Sequence, residues 1–356
     1  MVAPTNTRSF RLQGETLRAV EFDAQSAWDR TIEALGGGLL QSWAWGELKS
    51  RHGWEAVRLG LMSGEQPVRA AQVLLRRVGP LAVGYVPRGV AGVPTDDAAT
   101  AAFTLALDRT CRRRRGVVCF FEPESGQVIA TDCGDLGWAP SQTVLQPLRT
   151  IKVKVDVSDD ELLGRMKPKT RYNVRLAERR GVTIRLGSES DLPAFYTLLQ
   201  ETGRRDAFGI HEKGYYADTL RLLGENAVLL IAEYDGQPAA AIIVARFGGE
   251  AIYLHGASAS AYQRHMPAYL VQYAAMRWAR ERGCRMYDMW GIPETDDQPS
   301  VTSGDGNALN VRDGLWGVYR FKQGFGGEIV GYPGVFERVY MKPLMRFWRR
   351  FGPGIG

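Results

Sequence analysis

Three stretches hold residues whose types and spacing could do chemistry. The first is Tyr319-Arg-Phe-Lys-Gln-Gly-Phe-Gly-Gly-Glu328, where one lysine, Lys322, stands between Phe321 and Gly324. An ammonium in a partly desolvated pocket stabilises a developing oxyanion strongly, so Lys322 is a candidate catalytic group; a surface β-turn is the competing reading. The second is 165–180, RMKPKTRYNVRLAERR, in which Arg171, Arg175 and Arg179 fall four apart and so share one helical face. Solvated faces usually alternate in sign, whereas Glu178 is the one acid here, so the face suits a phosphate-rich partner, with a plain solvated face as the alternative. The third is 250–293. It contains the loop Gln263-Arg264-His265-Met266-Pro267-Ala268 and ends near Asp288, a strand-end carboxylate able to act as a base.

The elements that must position these groups can be read from periodicity. Within 250–293, Ala251 to Leu254 is short and apolar, Gly256–Met266 is loop-like, and Pro267 suits a first helical position because its missing N–H has no intrahelical partner to lose. Tyr269, Leu270, Tyr273, Ala274, Met276 and Trp278 then recur at helical spacing, and Gly283 follows as a stop. Cys284–Trp290 reads as a second strand. A strand feeding a loop at a helix N-terminus forms an anion site. That order resembles the acyl-CoA motif of GNAT acyltransferases. In CoA-using members the loop reads Gln/Arg-x-x-Gly-x-Gly/Ala, and its glycines let backbone N–H groups close on the pyrophosphate. Here Met266 and Pro267 stand instead, and proline has no N–H to give. The scaffold is expected to persist while the CoA cradle is lost; an ordinary βα unit without a ligand is the alternative.

The chain repeats this pattern. GEQPVRAAQVLLRR parallels DGQPAAAAIIVARF, LAVGYVPRGV parallels EAIYLHGASA, and CRRRRGVVCFFEPES parallels ARERGCRMYDMWGIPE. Similarity at half the chain length implies a duplicated α/β unit. The expected fold is α/β with mixed sheets, built as two tandem GNAT-like domains: residues 1–150 joined by 330–356, and 151–329. Other expected elements include helices over Asp23–Leu35, 39–54 and Ala98–Arg115 (capped by Gly116), a capping box opening at Ser158, and a helix from Pro168 to Gly181.

Composition bounds the function. The 356 residues exceed one compact core. A net charge of +6 favours anionic partners without naming one. Cys111, Cys119, Cys133 and Cys284 form no metal spacing, and reduced thiols are expected. No run approaches the roughly 20 apolar residues of a membrane span, and no signal peptide is evident, so a cytoplasmic chain is expected. The aromatic residues Trp43, Trp45, Trp54, Tyr215, Tyr216 and Trp278, like His255, read as core.

Taken together, KPKTRYNVRLAERRGV, RDAFGIHEKGYY, the YLHGASA-to-WGIP stretch and GLWGVYRFKQGFGGE resemble the FemABX family of peptidoglycan-bridge aminoacyltransferases, over about residues 40–330. The family's two tandem GNAT-like domains agree with the repeat. The resemblance implies transfer of an amino acid (Gly, Ala or Ser) from aminoacyl-tRNA to the side-chain amine of a stem peptide, carried by UDP-MurNAc-pentapeptide or lipid II. It implies no CoA and no metal. Residues 181–230 hold no heptad run for the coiled-coil arm of larger members, so the chain resembles the short, FemX-like ones. Lys322, after Phe321, matches a lysine proposed to stabilise the transition state. Lys49 and Tyr215 match acceptor-binding residues, and Tyr269 is a further contact. His211 stands where short members carry an arginine, which shifts the diphosphate contact toward Arg264 or Arg204. A monomer, working in the cytoplasm with peripheral contact at the inner membrane face, is expected; the tail MKPLMRFWRR reads as a last helix packed on the first domain, with a segment lying on anionic lipid as the alternative. Rival readings are a GNAT-superfamily N-acyltransferase on another amine or polysaccharide, and a non-catalytic binder of RNA or membrane surface.

Overall fold

The computed structural model describes residues 8–12, 15–92, 97–124, 134, 136–206, 209–294 and 316–351. In chain order the elements are β1 (Arg8–Leu12), β2 (Glu15–Glu21), α1 (Gln25–Ala34), α2 (Trp43–Arg51), β3 (Trp54–Ser63), β4 (Gln66–Val78), β5 (Leu81–Val86), α3 (Asp97–Arg113), β6 (Gly116–Phe121) and β7 (Ala139–Pro140). Then come β8 (Arg149–Lys154), α4 (Asp159–Arg165), α5 (Pro168–Arg179), β9 (Thr183–Leu186), α6 (Leu192–Asp206), α7 (Lys213–Leu223), β10 (Ala227–Tyr234), β11 (Gln237–Phe247), β12 (Glu250–Ser258), α8 (Pro267–Glu281) and β13 (Met286–Gly291). A helix over 316–323, α9, precedes β14 (Glu328–Gly331), β15 (Phe336–Val339) and α10 (Lys342–Phe351).

Two compact units result, one of 1–146 with 332–356 and one of 147–331. The first holds a sheet ordered β1-β2-β3-β4-β5-β6-β15-β7, the second a sheet ordered β14-β8-β13-β12-β11-β10-β9. Each sheet is antiparallel except for one parallel pair, β5 with β6 and β12 with β13. A helix, α3 or α8, crosses between the two strands of each pair. The strand beyond the pair comes from distant sequence: β15, near the C-terminus, flanks β6, and β8 flanks β13.

In the second unit α8 packs across the sheet beside α5. Leu270, Val271, Tyr273, Met276 and Trp278 join Val174, Ala177, Leu230, Ile242 and Val244 in one apolar core. Pro267 occupies the first turn of α8, and Gly283 takes a left-handed φ of 79° just past its end.

Several local expectations change. The segment 39–54 is a short 3-10 turn and a helix, because Ser42 is extended and its hydroxyl accepts the N–H of Trp45 (3.2 Å), capping α2 afresh. After α3 the left-handed residue is Arg115, not Gly116, which begins β6 where a Cβ would lie 3.0 Å from the Cys111 carbonyl oxygen. Ser158 caps α4 through Glu161 N–H, but Glu161 pairs forward with Arg165 (2.6 Å), so the capping box is half formed. The stretch around Lys322 is helix rather than surface turn. Cys111, Cys119 and Cys284 are buried free thiols; Cys133 lies outside the described residues.

Candidate functional site

The second unit's parallel pair is short. Glu250, Ala251 and Ile252 pair with Met286, Tyr287 and Asp288, and there the pairing ends although both strands run on. Both strands are irregular just beyond it. On β12 the partners of Tyr253 and His255 are the adjacent residues Val244 and Ile243, so Leu254 is an extra residue. That bulge makes Tyr253 and His255, two apart, face opposite sides of the sheet. On β13 the pairing with β8 shifts between Asp288 and Gly291, and Trp290 has φ +62°.

Backbone groups freed where strands part need other partners. Asp288 Oδ1 accepts the Trp290 N–H (2.6 Å) and also the Thr150 hydroxyl. The ammonium of Lys322 donates to the carbonyl oxygens of Trp290 (3.1 Å) and Gly291 (2.7 Å), and lies 5.7 Å from the centroid of the Tyr253 ring. Lys322 is only 6% exposed. Burial lowers its pKa to about 8, against the opposing charge of Asp288. Burial likewise raises the Asp288 carboxyl, while Lys152, Thr150, Trp290 N–H and Lys322 pull it down. Burial pushes the Tyr253 phenol up to about 12, offset in part by a hydrogen bond with Gln272.

The glycines after Lys322 set the position of α9. A Cβ on Gly324 would lie 2.1 Å from Thr170 Oγ1, and one on Gly327 2.7 Å from the Lys152 carbonyl oxygen. Gly324 O accepts the Lys167 N–H (2.8 Å), and Lys167 Nζ reaches Gln323 (2.5 Å). Small residues therefore let the end of α9 sit directly on the start of α5 and on β8. Phe321 packs edge-on against Tyr269 of α8 (4.9 Å) and against Phe325 (5.2 Å).

On the other face of β12, His211 stacks on Tyr215 (4.0 Å), and Tyr216 meets His255 edge-on (4.9 Å). The His211 N–H donates to the Tyr216 hydroxyl (3.0 Å). Tyr215 is buried, and its pKa is raised by that burial and by Tyr216.

The first unit carries Lys49 and the other parallel strand pair. Lys49 is half-buried on α2, 4.7 Å from the Trp45 ring, with burial lowering its pKa to about 8. Its parallel pair stays joined over five partners, Ala82↔Gly116 to Val86↔Phe121, and Glu122 N–H extends the ladder to Val86 O. The buried Glu122 carboxylate takes the Tyr85 hydroxyl and the Gln146 N–H. Among the described residues no group of three or more His, Cys, Asp or Glu could hold a metal ion.

The FemAB family model matches residues 27–135, 141–237 and 233–348, nearly the whole chain. The chain belongs to the FemAB family. It is therefore a transferase. Among its relatives, lipid II:glycine glycyltransferase of Staphylococcus saprophyticus is 22% identical over 393 residues, covering 89% of this chain and 92% of that one. The Staphylococcus aureus (strain USA300) protein of the same name is 23% identical over 398 residues, covering 89% and 91%. Among solved structures, FemX superposes with a TM-score of 0.80 at 21% identity, over 92% of this chain and 98% of FemX. A tandem GNAT protein from the clavulanic acid pathway superposes with a TM-score of 0.51. The α/β fold with two tandem GNAT-like domains read from the internal repeat is thus the observed one.

In this FemAB-family chain the residues singled out earlier fall into separate groups. Lys322 and Asp288 share the diverging strand ends. At 1% exposure Asp288 is a buried acceptor that shapes the turn at Trp290, a different role from the base expected of a strand-end carboxylate. Phe321 and Tyr269 form an aromatic wall next to Lys322. His211 and Tyr215 lie across β12. Arg171 is half-buried and donates to the Leu163 and Gly164 carbonyls at the end of α4. Arg175 is exposed, and Arg179 lies 5.6 Å from the Tyr172 ring. Arg264 is exposed before α8, its Nε donating to His265 (3.1 Å) and its carbonyl capped by Arg180. Sequence reasoning did not single out Tyr253, Thr150 or Trp290. Trp290 carried no composition signal, since a left-handed tryptophan is set by its surroundings, and Tyr253 was one aromatic among several in an apolar strand.

Proposed function

We propose that the chain moves an amino acid from aminoacyl-tRNA to the side-chain amine of a peptidoglycan stem peptide, on lipid II or UDP-MurNAc-pentapeptide. The observation that carries this reading is the buried Lys322 ammonium, fixed by two carbonyl oxygens where β12 and β13 part. Family membership and the names of the relatives support the reaction class.

The acceptor amine attacks the ester carbonyl and a C–N bond forms. The C–O bond to the tRNA terminal ribose then breaks, and the amine proton ends on the ribose hydroxyl by way of solvent. An aminoacyl ester needs little leaving-group assistance, so the demands are placing the amine and holding the oxyanion. The Lys322 ammonium serves the second, its charge already set and its geometry already fixed. In the second unit Arg264 and Tyr269 serve the acceptor and its phosphates; the resemblance implies the same role for His211 and Tyr215 and, in the first unit taken by itself, for Lys49. Arg175 offers an exposed charge to the RNA backbone, while Arg171 acts through the fold. Charged tRNA places the reaction in the cytoplasm.

Neither CoA nor a metal enters the proposed transfer. Met266 caps α8 in a left-handed conformation with no side-chain hydrogen bond, and Pro267 offers no N–H to a pyrophosphate. Titration calorimetry with CoA is expected to show no heat of binding. The reaction is tested with purified protein, tRNA charged with labelled glycine, alanine or serine, and both acceptors. Label is expected in the stem peptide; its absence from both acceptors with all three amino acids overturns the proposal.

A further inference from the structure

One end of the first unit collects cations that the transfer reaction does not use. There β4 turns into β5 through Gly79 (φ 58°), with Arg76 opposite Val83 and Arg77 opposite Ala82. The Ala82 N–H donates to Arg115 O (3.1 Å), and Arg77 Nη1 donates to Arg114 O (3.2 Å), so the hairpin meets the arginine run 112–115 that follows α3. The Tyr340 N–H donates to Val117 O, and the Arg112 guanidinium lies 5.1 Å from the Tyr340 ring, which brings the start of α10 to the same end.

Folding uses one arginine of this set fully: Arg114 pairs with Glu21 (3.2 Å) and Glu55 (2.8 Å). Arg77 also lies 3.6 Å from Glu55 but is half exposed. Arg76, Arg112, Arg113, Arg115 and Lys342 are exposed. Cations complement the carbonyl end of a helix, which accounts for the last turn of α3. It covers Arg77 in part, through the Arg114 carbonyl, but does not account for Arg76 on the hairpin or Lys342 on another helix. Two apolar side chains stand exposed among these charges, Val78 at 38% and Leu344 at 40%. Met345 fixes the seating of α10, buried against Leu74, Val83 and Val118.

We propose that this end of the first unit docks on an anionic lipid bilayer, the guanidinium groups on headgroup phosphates and Val78 and Leu344 at the headgroup boundary. Clustered basic residues with a few apolar side chains are what such a surface binds. An RNA backbone would use the arginines and leave the two exposed apolar side chains without a role. The inference rests on the transfer reading only in naming what is met there, a lipid-linked acceptor; docking itself is read without any transfer.

The test floats the full chain with vesicles of phosphatidylcholine alone or mixed with phosphatidylglycerol. Binding is expected only to the mixed vesicles and is expected to fall with salt. The triple variant Arg76→Gln, Arg112→Gln, Arg113→Gln is expected to lower the partition coefficient about a hundredfold, with a small drop in thermal midpoint from the lost helix-end cations, a folded chain at the assay temperature and unchanged transfer to UDP-MurNAc-pentapeptide. The pair Val78→Ser, Leu344→Ser is expected to weaken binding with the salt dependence unchanged. Equal binding to neutral vesicles, binding to neither, or a triple variant that floats like wild type overturns the proposal. A triple variant that loses tRNA binding and soluble transfer together also overturns it, because the arginines then serve RNA. Failure of transfer on every acceptor would remove the reaction proposed above and leave the flotation result standing.

Discussion

The two sheets carry the same parallel strand pair and finish it differently. In the first unit β5 and β6 stay paired to their ends, and Glu122 continues the ladder while its carboxylate is taken up by Tyr85 and Gln146. In the second, β12 and β13 part after three partners, and an aspartate and a lysine satisfy the backbone groups left over. A duplicated unit can therefore be closed or open at one place, depending on whether side chains replace the missing ladder. The open end holds the buried ammonium; the closed end holds a buried carboxylate bonded to Tyr85 and the Gln146 N–H. Under the proposed function the oxyanion donor belongs to the second unit.

The largest expected effect is at Lys322. Lys322→Ala is expected to lower kcat about a hundredfold to a thousandfold, the usual cost of one oxyanion donor. Acceptor affinity should change little, as for an interaction made in the transition state. Because the ammonium also holds two carbonyls, the thermal midpoint is measured alongside. A rate loss fully matched by unfolding would make Lys322 a strand-end clasp and erase the contrast between the units.

Next comes pH. The Lys322 ammonium titrates at about 8 in the folded chain, below the ordinary lysine value of 10.5. The cation is therefore present below about pH 8 and lost above it. The ratio of wild-type to Lys322→Arg activity is expected to fall about tenfold per pH unit above that point, since arginine keeps its charge; taking the ratio cancels the titration of the attacking amine. Burial also disfavours the charged lysine in the fold, so the contribution of this group to stability rises between about pH 8 and 10.5. A flat activity ratio would detach the charge from catalysis.

A smaller effect is expected at Gly324, where a methyl group would meet Thr170 Oγ1. Gly324→Ala is expected to cost about 1–3 kcal/mol, as overpacking does, and to lower the rate by shifting Lys322. Adding Thr170→Ala should restore much of both; a lasting rate defect without a stability defect would place Gly324 against substrate. Least of all should be the effect on rate of Glu122→Ala in the closed end. Leaving Tyr85 and Gln146 N–H without their acceptor is expected to cost about 1–3 kcal/mol in denaturant melts, with transfer within about twofold of wild type. A rate loss like that of Lys322→Ala would mean that both ends carry chemistry.

Much of the fold could be read along the chain because it rests on local signals. The apolar spacing of 269–278, Pro267 and Gly283 define α8 whatever packs on it, and the duplicated order of strand, strand, loop, helix, strand repeats those signals. Lys322 also stood out, as the one lysine among aromatics and glycines. Its helical setting did not, because glycines at 324, 326 and 327 read as turn; they are there for close approach to Thr170, Arg165 and β8. Arg171 looked identical to Arg175 by spacing, yet only Arg171 reaches the carbonyls ending α4.

What the sequence determined by itself, then, was the set of elements, their duplication and the residue types available for chemistry, since these depend on neighbours within a few turns. Tertiary structure alone decided where the strands part. That divergence depends on a bulge at Leu254, a left-handed Trp290 and the arrival of Lys322 from 31 residues beyond Gly291. Only the folded chain brings those together, and only there does a lysine become a buried cation with its charge fixed at one point.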